Sequence, residues 1–311
     1  MSNTENPHQL ASSLDCPAAT GTPILERVTP HNTDVGGIQV NRVLPRRQRR
    51  MIGAWCFLDH IGPVSGSEID LHVGAHPHIG LQTFTWMMQG EILHRDSLGT
   101  EQVIRPGQVN LMTAGRGIAH TEDSVAGQYA IHAAQLWIAL PKEHVDTEPS
   151  FDHYPDLPHW REQNMDMTLL IGSYGAYAAP TKSFSPLVGL DLQVLQAGQT
   201  NLELRSDFEY GLLPLQGDWK IEGEIFAEND LAYLGCGRTH LSVESAANSR
   251  ALLVGGAPLK HEVLIWWNFV SHSRAAIIQA QRDWEADNKN RFADVPGATK
   301  RLIPPPIPWQ E

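Results

Sequence analysis

The first half of the chain alternates short apolar runs with turn-forming residues. The run LQTFTWMM at 81–88 is rich in β-branched and aromatic residues and ends at the turn QGE, 89–91. Another short run follows at 92–94, and the turn RPG at 105–107 precedes the run at 109–113. Strands this short, separated by turns this frequent, predict an all-β sandwich or barrel.

The second half shows the same pattern and adds one helix. Residues 271–288 carry an apolar stripe of Ile277, Gln281 and Trp284 with one polar interruption, and either Ser271 or Ser273 can cap the helix. Beyond it lies a proline-rich tail that we expect to be extended, with Ile303 and Trp309 as anchors on the body. The strand-like runs of this half fall at 167–172, 187–195, 201–205, 210–215, 231–234, 240–244 and 251–254.

The length of 311 residues suits two domains better than one hydrophobic core. Residues 146–166 contain several prolines and charged residues and show no periodic pattern of apolar positions. This composition is typical of a connection between domains. We therefore predict a first domain at 25–145, a linker at 146–166 and a second domain with the helix and tail at 167–311.

The negative net charge of the chain disfavours anionic binding partners. A formal net charge of -12 repels phosphate backbones and anionic membranes, so direct binding to nucleic acid or to a membrane is not expected. The N-terminus lacks the basic start and apolar core of a secretory signal, and there are only three cysteines, far apart in the sequence. Both features favour a cytoplasmic protein.

Histidine chemistry, if present, belongs to residues 1–160, where 12 of the 15 histidines lie. His76 and His78 are two residues apart, so on an extended chain both side chains share one face, and His120 and Glu122 repeat this spacing. A lone His-x-His pair is more often a surface or core pair than a ligand set. Two pairs joined by hairpins can return to one barrel mouth and hold one transition metal such as Fe(II), Ni, Co, Mn, Cu or Zn.

The stretch 76–122 closely resembles the signature of the pirin-like family. It reads HPH, then Gly80, a Thr-x-Thr strand, GEI, HRDSLG, PG and MTAGRGI-x-H-x-E. The resemblance continues upstream at 49–51 and 57–60 and downstream at 267–270 and 281–284, so that it covers nearly the whole chain.

The resemblance implies a bicupin, in which two β-barrels of jelly-roll type face each other and only the N-terminal barrel holds a metal. The positions that match the family's ligands are His76, His78, His120 and Glu122. The general cupin pattern places a carboxylate where this chain has Gln82, which is then either structural or part of the site lining.

Two pairings are open for the residues close to the motif. His94 and Asp96 could form a pair that orients a ligand, or a strand-end salt link with Arg95 could form instead. His60 and His72 are interpreted as surface residues.

The function implied by the resemblance is that of quercetin 2,3-dioxygenase, which opens a flavonol with O2 and releases carbon monoxide. One divalent transition metal, with Fe(II) as the expected ion, would bind a small aromatic substrate, and Glu122 would act as general base. We expect a monomer. Two alternatives stay open: a redox-responsive regulatory protein that binds a protein partner, and a cupin enzyme with another substrate. Oxygen uptake with a flavonol separates the first alternative from the dioxygenase.

Overall fold

A computed structural model of the protein describes residues 10–17 and 23–309. Regular structure in these residues is mainly β, with two 3-10 turns at Ser13–Asp15 and Lys142–His144 and one α-helix, α1, at Arg274–Glu285. Strands of the first half are β1 Ala11–Ser12, β2 Glu26–Val28, β3 His31–Val35, β4 Ile38–Leu44, β5 Trp55–Ser65, β6 His72–His78, β7 Leu81–Gln89, β8 Ile92–Asp96, β9 Glu101–Ile104, β10 Val109–Thr113, β11 Ile118–Ser124, β12 Ala130–Ala139 and β13 Ser150–Tyr154. Strands of the second half are β14 His159–Glu162, β15 Met165–Tyr174, β16 Tyr177–Ala178, β17 Leu187–Val194, β18 Gly198–Glu203, β19 Glu209–Gln216, β20 Trp219–Ile221, β21 Glu224–Phe226, β22 Leu231–Gly235, β23 His240–Ser245, β24 Arg250–Gly256, β25 Leu264–Trp266 and β26 Phe269–Ser271.

The first barrel consists of a seven-stranded sheet facing a four-stranded sheet. The large sheet has the order β13-β10-β7-β12-β5-β4-β3, and the small sheet has the order β6-β11-β8-β9. Ring contacts join the inner faces: His78 lies 5.1 Å from Trp137, and His94 stacks on Phe151 at 4.5 Å. One end of this interior is apolar and includes Met87, which packs in one cluster with residues of both sheets.

The second barrel repeats this two-sheet arrangement. Its large sheet has the order β14-β15-β17-β24-β19-β22-β2, with β16 paired to β15, and its small sheet has the order β18-β23-β20-β21. The interior is filled by buried apolar side chains that include Leu190, Trp219 and Leu253. The two barrels together confirm the predicted all-β bicupin architecture.

The barrels pack against each other through the outer faces of their large sheets. Phe84 and Trp86 of the first barrel share one buried cluster with Leu213 and Leu252 of the second. The indole of Trp55 also donates a hydrogen bond of 3.2 Å to the carbonyl of Gly255, which satisfies a polar atom within this apolar contact.

The connection between the barrels differs in detail from the linker predicted at 146–166. Strand β13 lies within this stretch and pairs with β10 of the first barrel, whereas β14 pairs with β15 of the second. The crossing itself therefore lies between Tyr154 and His159. Strand β2 also joins the second barrel by pairing with β22, so the chain passes between the barrels more than once. The domain limits of 25–145 and 167–311 stay a prediction.

The helix matches the predicted apolar stripe. Its N-cap is Ser273, and the predicted stripe residues Ile277, Gln281 and Trp284 are buried. Gln281, the polar interruption, accepts a hydrogen bond of 2.8 Å from the indole of Trp266. No helix within residues 10–17 and 23–309 is long and apolar enough to cross a membrane.

The proline-rich tail is anchored by one of the two predicted residues. Trp309 packs edge-on against Trp266 at 4.7 Å. Ile303 is 87% exposed, so its predicted anchoring role is wrong. The tail crosses the first barrel, where the backbone of Arg301 forms an isolated parallel β-bridge with Ala75, next to His76.

Candidate metal centre

Three histidines converge inside the first barrel because two adjacent antiparallel strands carry them. His76 lies directly opposite His120 in the β6–β11 ladder, and His78 lies opposite Ile118. All three rings are fully buried, and one ligand atom from each lies within 4.8 Å of those of the other two. The i, i+2 spacing thus places both members of the first pair on the inner face, as the sequence predicts.

Each of these rings has its Nδ1 engaged and its Nε2 directed inward. His76 Nδ1 lies 2.8 Å from the carbonyl oxygen of Gly74, and His78 Nδ1 lies 2.9 Å from that of Asn268. The Nε2 atoms of His78 and His120 are 3.1 Å apart, and Nε2 of His76 is buried with no hydrogen-bond partner. Rings that donate through Nδ1 present their Nε2 lone pairs to the same point, which is the arrangement of imidazole metal ligands.

Burial keeps these imidazoles neutral. It lowers the pKa of His76 to about 3 and holds the pKa values of His78 and His120 well below the ordinary histidine range. Since a histidine binds metal only in its neutral form, all three lone pairs are available at neutral pH. The donor set therefore fits a single transition metal.

The approach of β26 to the site depends on Gly80. This residue turns the chain from β6 into β7 with a φ of +66°, and a Cβ there would lie only 2.1 Å from the carbonyl oxygen of Val270. Only glycine allows this contact. Asn268, just before β26, is thereby close enough to accept the hydrogen bond from His78.

A carboxylate fixes the third histidine through a second imidazole. Asp96 Oδ2 lies 3.0 Å from His94 Nε2, and His94 Nδ1 lies 3.3 Å from His120 Nδ1. Burial pushes the pKa of Asp96 upward, but hydrogen bonds from His94 and Thr100 outweigh it and hold the pKa below its ordinary value. The ionised Asp96 can only accept, so His94 carries its proton on Nε2 and accepts from His120 Nδ1–H. That tautomer leaves the Nε2 lone pair of His120 facing His76 and His78.

The predicted pairing of His94 with Asp96 is therefore confirmed over the alternative link to Arg95. Arg95 donates instead to Glu101 at 2.8 Å and to Asp123 at 3.3 Å. The side chain of Arg95 is about a quarter exposed, whereas His94 and Asp96 are buried.

Glu122 is buried next to the three histidines but does not belong to their tight group. It lies two residues after His120 on β11, opposite His94 of β8, and a bulge separates it from His120 in the ladder with β6. The group of ligand atoms within 4.8 Å comprises the three histidines alone. The roles of Glu122 as fourth ligand and as general base stay predictions.

Gln82 has a structural role on the other side of the sheet. It lies opposite Ile138 and Thr113, on the same face of β7 as Phe84 and Trp86, which point to the second barrel. Its Nε2 donates a hydrogen bond of 3.0 Å to Thr113 Oγ1. Of the two roles left open by the sequence, the lining of the metal site is excluded.

The interpretation of His60 as a surface residue is wrong. His60 is fully buried between the barrels, with Nε2 2.8 Å from His132 Nε2 and Nδ1 2.5 Å from Asn229 Oδ1. His72 is half exposed and pairs with Asp123, as expected of a surface residue. In residues 10–17 and 23–309, no other group of three metal-binding side chains reaches the geometry of the histidine triad.

A row of polar side chains, buried except for the partly exposed His153, crosses the inner face of the large sheet and was missed by the sequence analysis. Its members are direct cross-strand partners on six neighbouring strands. The sequence signal that could have revealed the row is a single amide in each of two mainly apolar strands, Gln135 in β12 and Asn110 in β10. The row consists of His153, Asn110, Thr85, Gln135, Asp59 and Arg42.

Two family models match the chain: Pirin over residues 37–138 and the Pirin C-terminal cupin domain over residues 189–292. A Pseudomonas aeruginosa protein named "Putative quercetin 2,3-dioxygenase PA1205" is 55% identical, with 100% of this chain and 99% of that protein covered. A pirin-like protein of Caulobacter vibrioides is 35% identical over 81% of this chain and 90% of its own length.

Solved structures share this fold. The crystal structure of a quercetin 2,3-dioxygenase from Acinetobacter baumannii matches with a TM-score of 0.90 and 42% identity, covering 92% of this chain and 97% of that one. The chain thus contains both domains of the family and has the bicupin architecture. It belongs to the pirin family.

Proposed function

We propose that this protein is a metal-dependent dioxygenase that opens flavonols such as quercetin with O2 and releases carbon monoxide. The observation that carries the proposal is the group of three buried, neutral imidazoles whose Nε2 atoms converge in the first barrel. The names of its relatives from Pseudomonas and Acinetobacter support the substrate class.

The proposed ligands are His76, His78, His120 and Glu122, and Fe(II) is the proposed ion, with Ni, Co, Mn, Cu or Zn as alternatives. When bound, the metal would supply a Lewis acid that acidifies the flavonol hydroxyl and orients substrate and O2. Gly74, Asn268 and His94 hold the three rings through Nδ1, which leaves each Nε2 available to the ion.

The chain's own residues would handle the proton and exclude water. Glu122, 3% exposed beside the triad, is proposed to accept the 3-hydroxyl proton of the flavonol at a carboxylate oxygen. Trp137 and Phe151 provide apolar surfaces next to His78 and His94, against which a planar aromatic ring can pack. The closed barrel would keep bulk water from the reacting carbon.

We further propose a monomer in the reducing cytoplasm. The three cysteines Cys16, Cys56 and Cys236 are all unpaired, which supports a compartment without disulfide formation. The metal-free second barrel would shape the entrance without taking part in the chemistry.

The proposal is tested by mixing metal-loaded protein with quercetin, first without O2 and then with it. We expect a flavonolate spectral shift under anaerobic conditions, and after O2 is admitted one carbon monoxide for each quercetin consumed. Product formation without O2 would reject the dioxygenase. Flavonol binding with no turnover would favour the regulatory alternative.

A further inference from the structure

Two buried N–H donors on one strand have no hydrogen-bond partner. Gln135 Nε2 and Trp137 Nε1 both belong to β12, and their side chains are 1% and 0% exposed. The two residues are spaced i, i+2, so they point to the same face, about 7 Å apart along the strand. A buried donor without a partner has lost its hydrogen bond to water without compensation, and such atoms are rare in folded proteins.

Gln135 has a spare donor although its polar neighbours are satisfied. Its Oε1 accepts a hydrogen bond of 2.7 Å from Thr85 Oγ1, which holds the amide in place. On its other side, Asp59 accepts two hydrogen bonds of 2.8 and 2.7 Å from Arg42. The side-chain NH2 of Gln135 therefore has no acceptor among its neighbours in the polar row.

Trp137 stands next to the proposed metal ligands. Its ring lies 5.1 Å from that of His78 in an edge-on contact, and its other side stacks on Phe57 at 4.1 Å and 13°. The stack fixes the plane of the indole. The orphan N–H therefore belongs to a rigid ring on the sheet that faces the triad.

We propose that Gln135 and Trp137 form an oxygen-binding subsite, in which the two N–H groups donate to oxygen atoms of an aromatic ligand held against the three histidines. Trp137, which touches His78, would donate a hydrogen bond to the ligand oxygens nearest the three histidines. Gln135 would donate to an oxygen further along the ligand. The subsite selects ligands rich in acceptors, because an apolar or amine-bearing ligand would leave both donors unpaired. The choice of a flavonol as this ligand rests on the proposed function.

The chain contains matched controls for both residues. Trp219 is also a fully buried tryptophan with an unpartnered indole nitrogen, but it lies in the core of the second barrel. Gln82 is also a buried glutamine bonded to a threonine, but it faces the second barrel rather than the triad. Each control undergoes the same chemical change as its partner, away from the proposed subsite.

The test measures ligand affinity in the full-length, metal-loaded protein without O2, by absorbance titration with 4-nitrocatechol and with quercetin. Trp137→Phe is expected to weaken both probes at least tenfold, and Gln135→Met is expected to weaken quercetin at least tenfold, which corresponds to about 1.4 kcal/mol. Metal content should stay at the wild-type level. Trp219→Phe and Gln82→Met should keep both affinities within twofold.

The outcomes separate the subsite from the proposed reaction. If wild-type protein turns over quercetin but Trp137→Phe and Gln135→Met bind as the controls do, the subsite is rejected and the function stands. If Trp137→Phe loses 4-nitrocatechol binding but wild-type protein does not turn over quercetin, the function is rejected and the subsite stands. Should a variant fail to retain metal, Gln135→Glu decides when it is assayed above the pKa of the new carboxyl group, because it keeps the acceptor for Thr85 and exchanges the NH2 donor for an ionised oxygen that repels a ligand oxygen. Unchanged quercetin affinity in that variant overturns the proposal.

Discussion

The replacement Asp96→Asn is expected to weaken metal binding about 10- to 100-fold, or by about 1.4–2.7 kcal/mol, while the barrel stays folded. Asp96 Oδ2 accepts the Nε2 proton of His94, and this sets the tautomer of His120. An asparagine would present an NH2 group at this position. His94 would then carry its proton on Nδ1, and His120 would have to place its own on Nε2, where the metal needs a lone pair.

The same replacement leaves the structural bonds of Asp96 in place. Oδ1 accepts from the backbone amides of Leu98 and Thr100 at 2.9 and 3.1 Å, and the amide oxygen of asparagine can accept both. We therefore expect the free energy of unfolding of the metal-free protein to change by less than about 1 kcal/mol.

Metal affinity can be measured by competition with a chromogenic chelator. Asp123→Asn is the matched control, because Asp123 lies on β11 but pairs with His72 and Arg95 at the surface. It should bind metal as the wild type does. Wild-type metal affinity in Asp96→Asn, or an equal loss in Asp123→Asn, would refute the tautomer argument.

Three other changes probe the site and the barrel contact. His120→Ala removes one of the converging nitrogens and should abolish metal retention and turnover without unfolding the chain; full metal content by elemental analysis would show that the ligand set is wrong. Glu122→Gln should reduce the rate of flavonol oxidation much more than the metal content, and parallel losses of both would exclude the base role. Burial lowers the pKa of His60 to about 4, whereas in the unfolded chain it is about 6.5. As pH falls from 6.5 toward 4, the unfolded chain binds a proton that the folded protein excludes, so the free energy of unfolding decreases by on the order of 3 kcal/mol. Denaturant unfolding at pH 7 and pH 4.5 should show a smaller decrease in the free energy of unfolding for His60→Gln than for wild type. An identical decrease in both proteins would contradict the lowered pKa of His60.

Local patterns predicted the parts of the structure that depend on neighbouring residues. The run at 81–88 became β7, Leu81–Gln89, and the stripe of α1 is buried as its period requires. The convergence of His76, His78 and His120 was also predictable, because each pair spacing sets a face and the hairpins between them return the chain to the same sheet.

Features that depend on the register of distant strands were not predictable. Gln82 follows the His-x-His pair at a ligand-like spacing, yet the turn at Gly80 moves it to the other sheet, where it faces the second barrel. His60 has no partner nearby in the sequence, and its contacts come from His132 and Asn229. Gln135 and Trp137 face the triad only because β12 and β6 belong to opposing sheets, which no local pattern encodes.

We predict that one metal binds per chain, at the three histidines of the first barrel. The most direct test is elemental analysis of protein purified without added metal and again after reconstitution, with wild type compared to a variant in which His76, His78 and His120 are all alanine. We expect close to one transition metal per wild-type chain and none in the variant. Two metals per wild-type chain, none after reconstitution, or metal retained by the variant would contradict it.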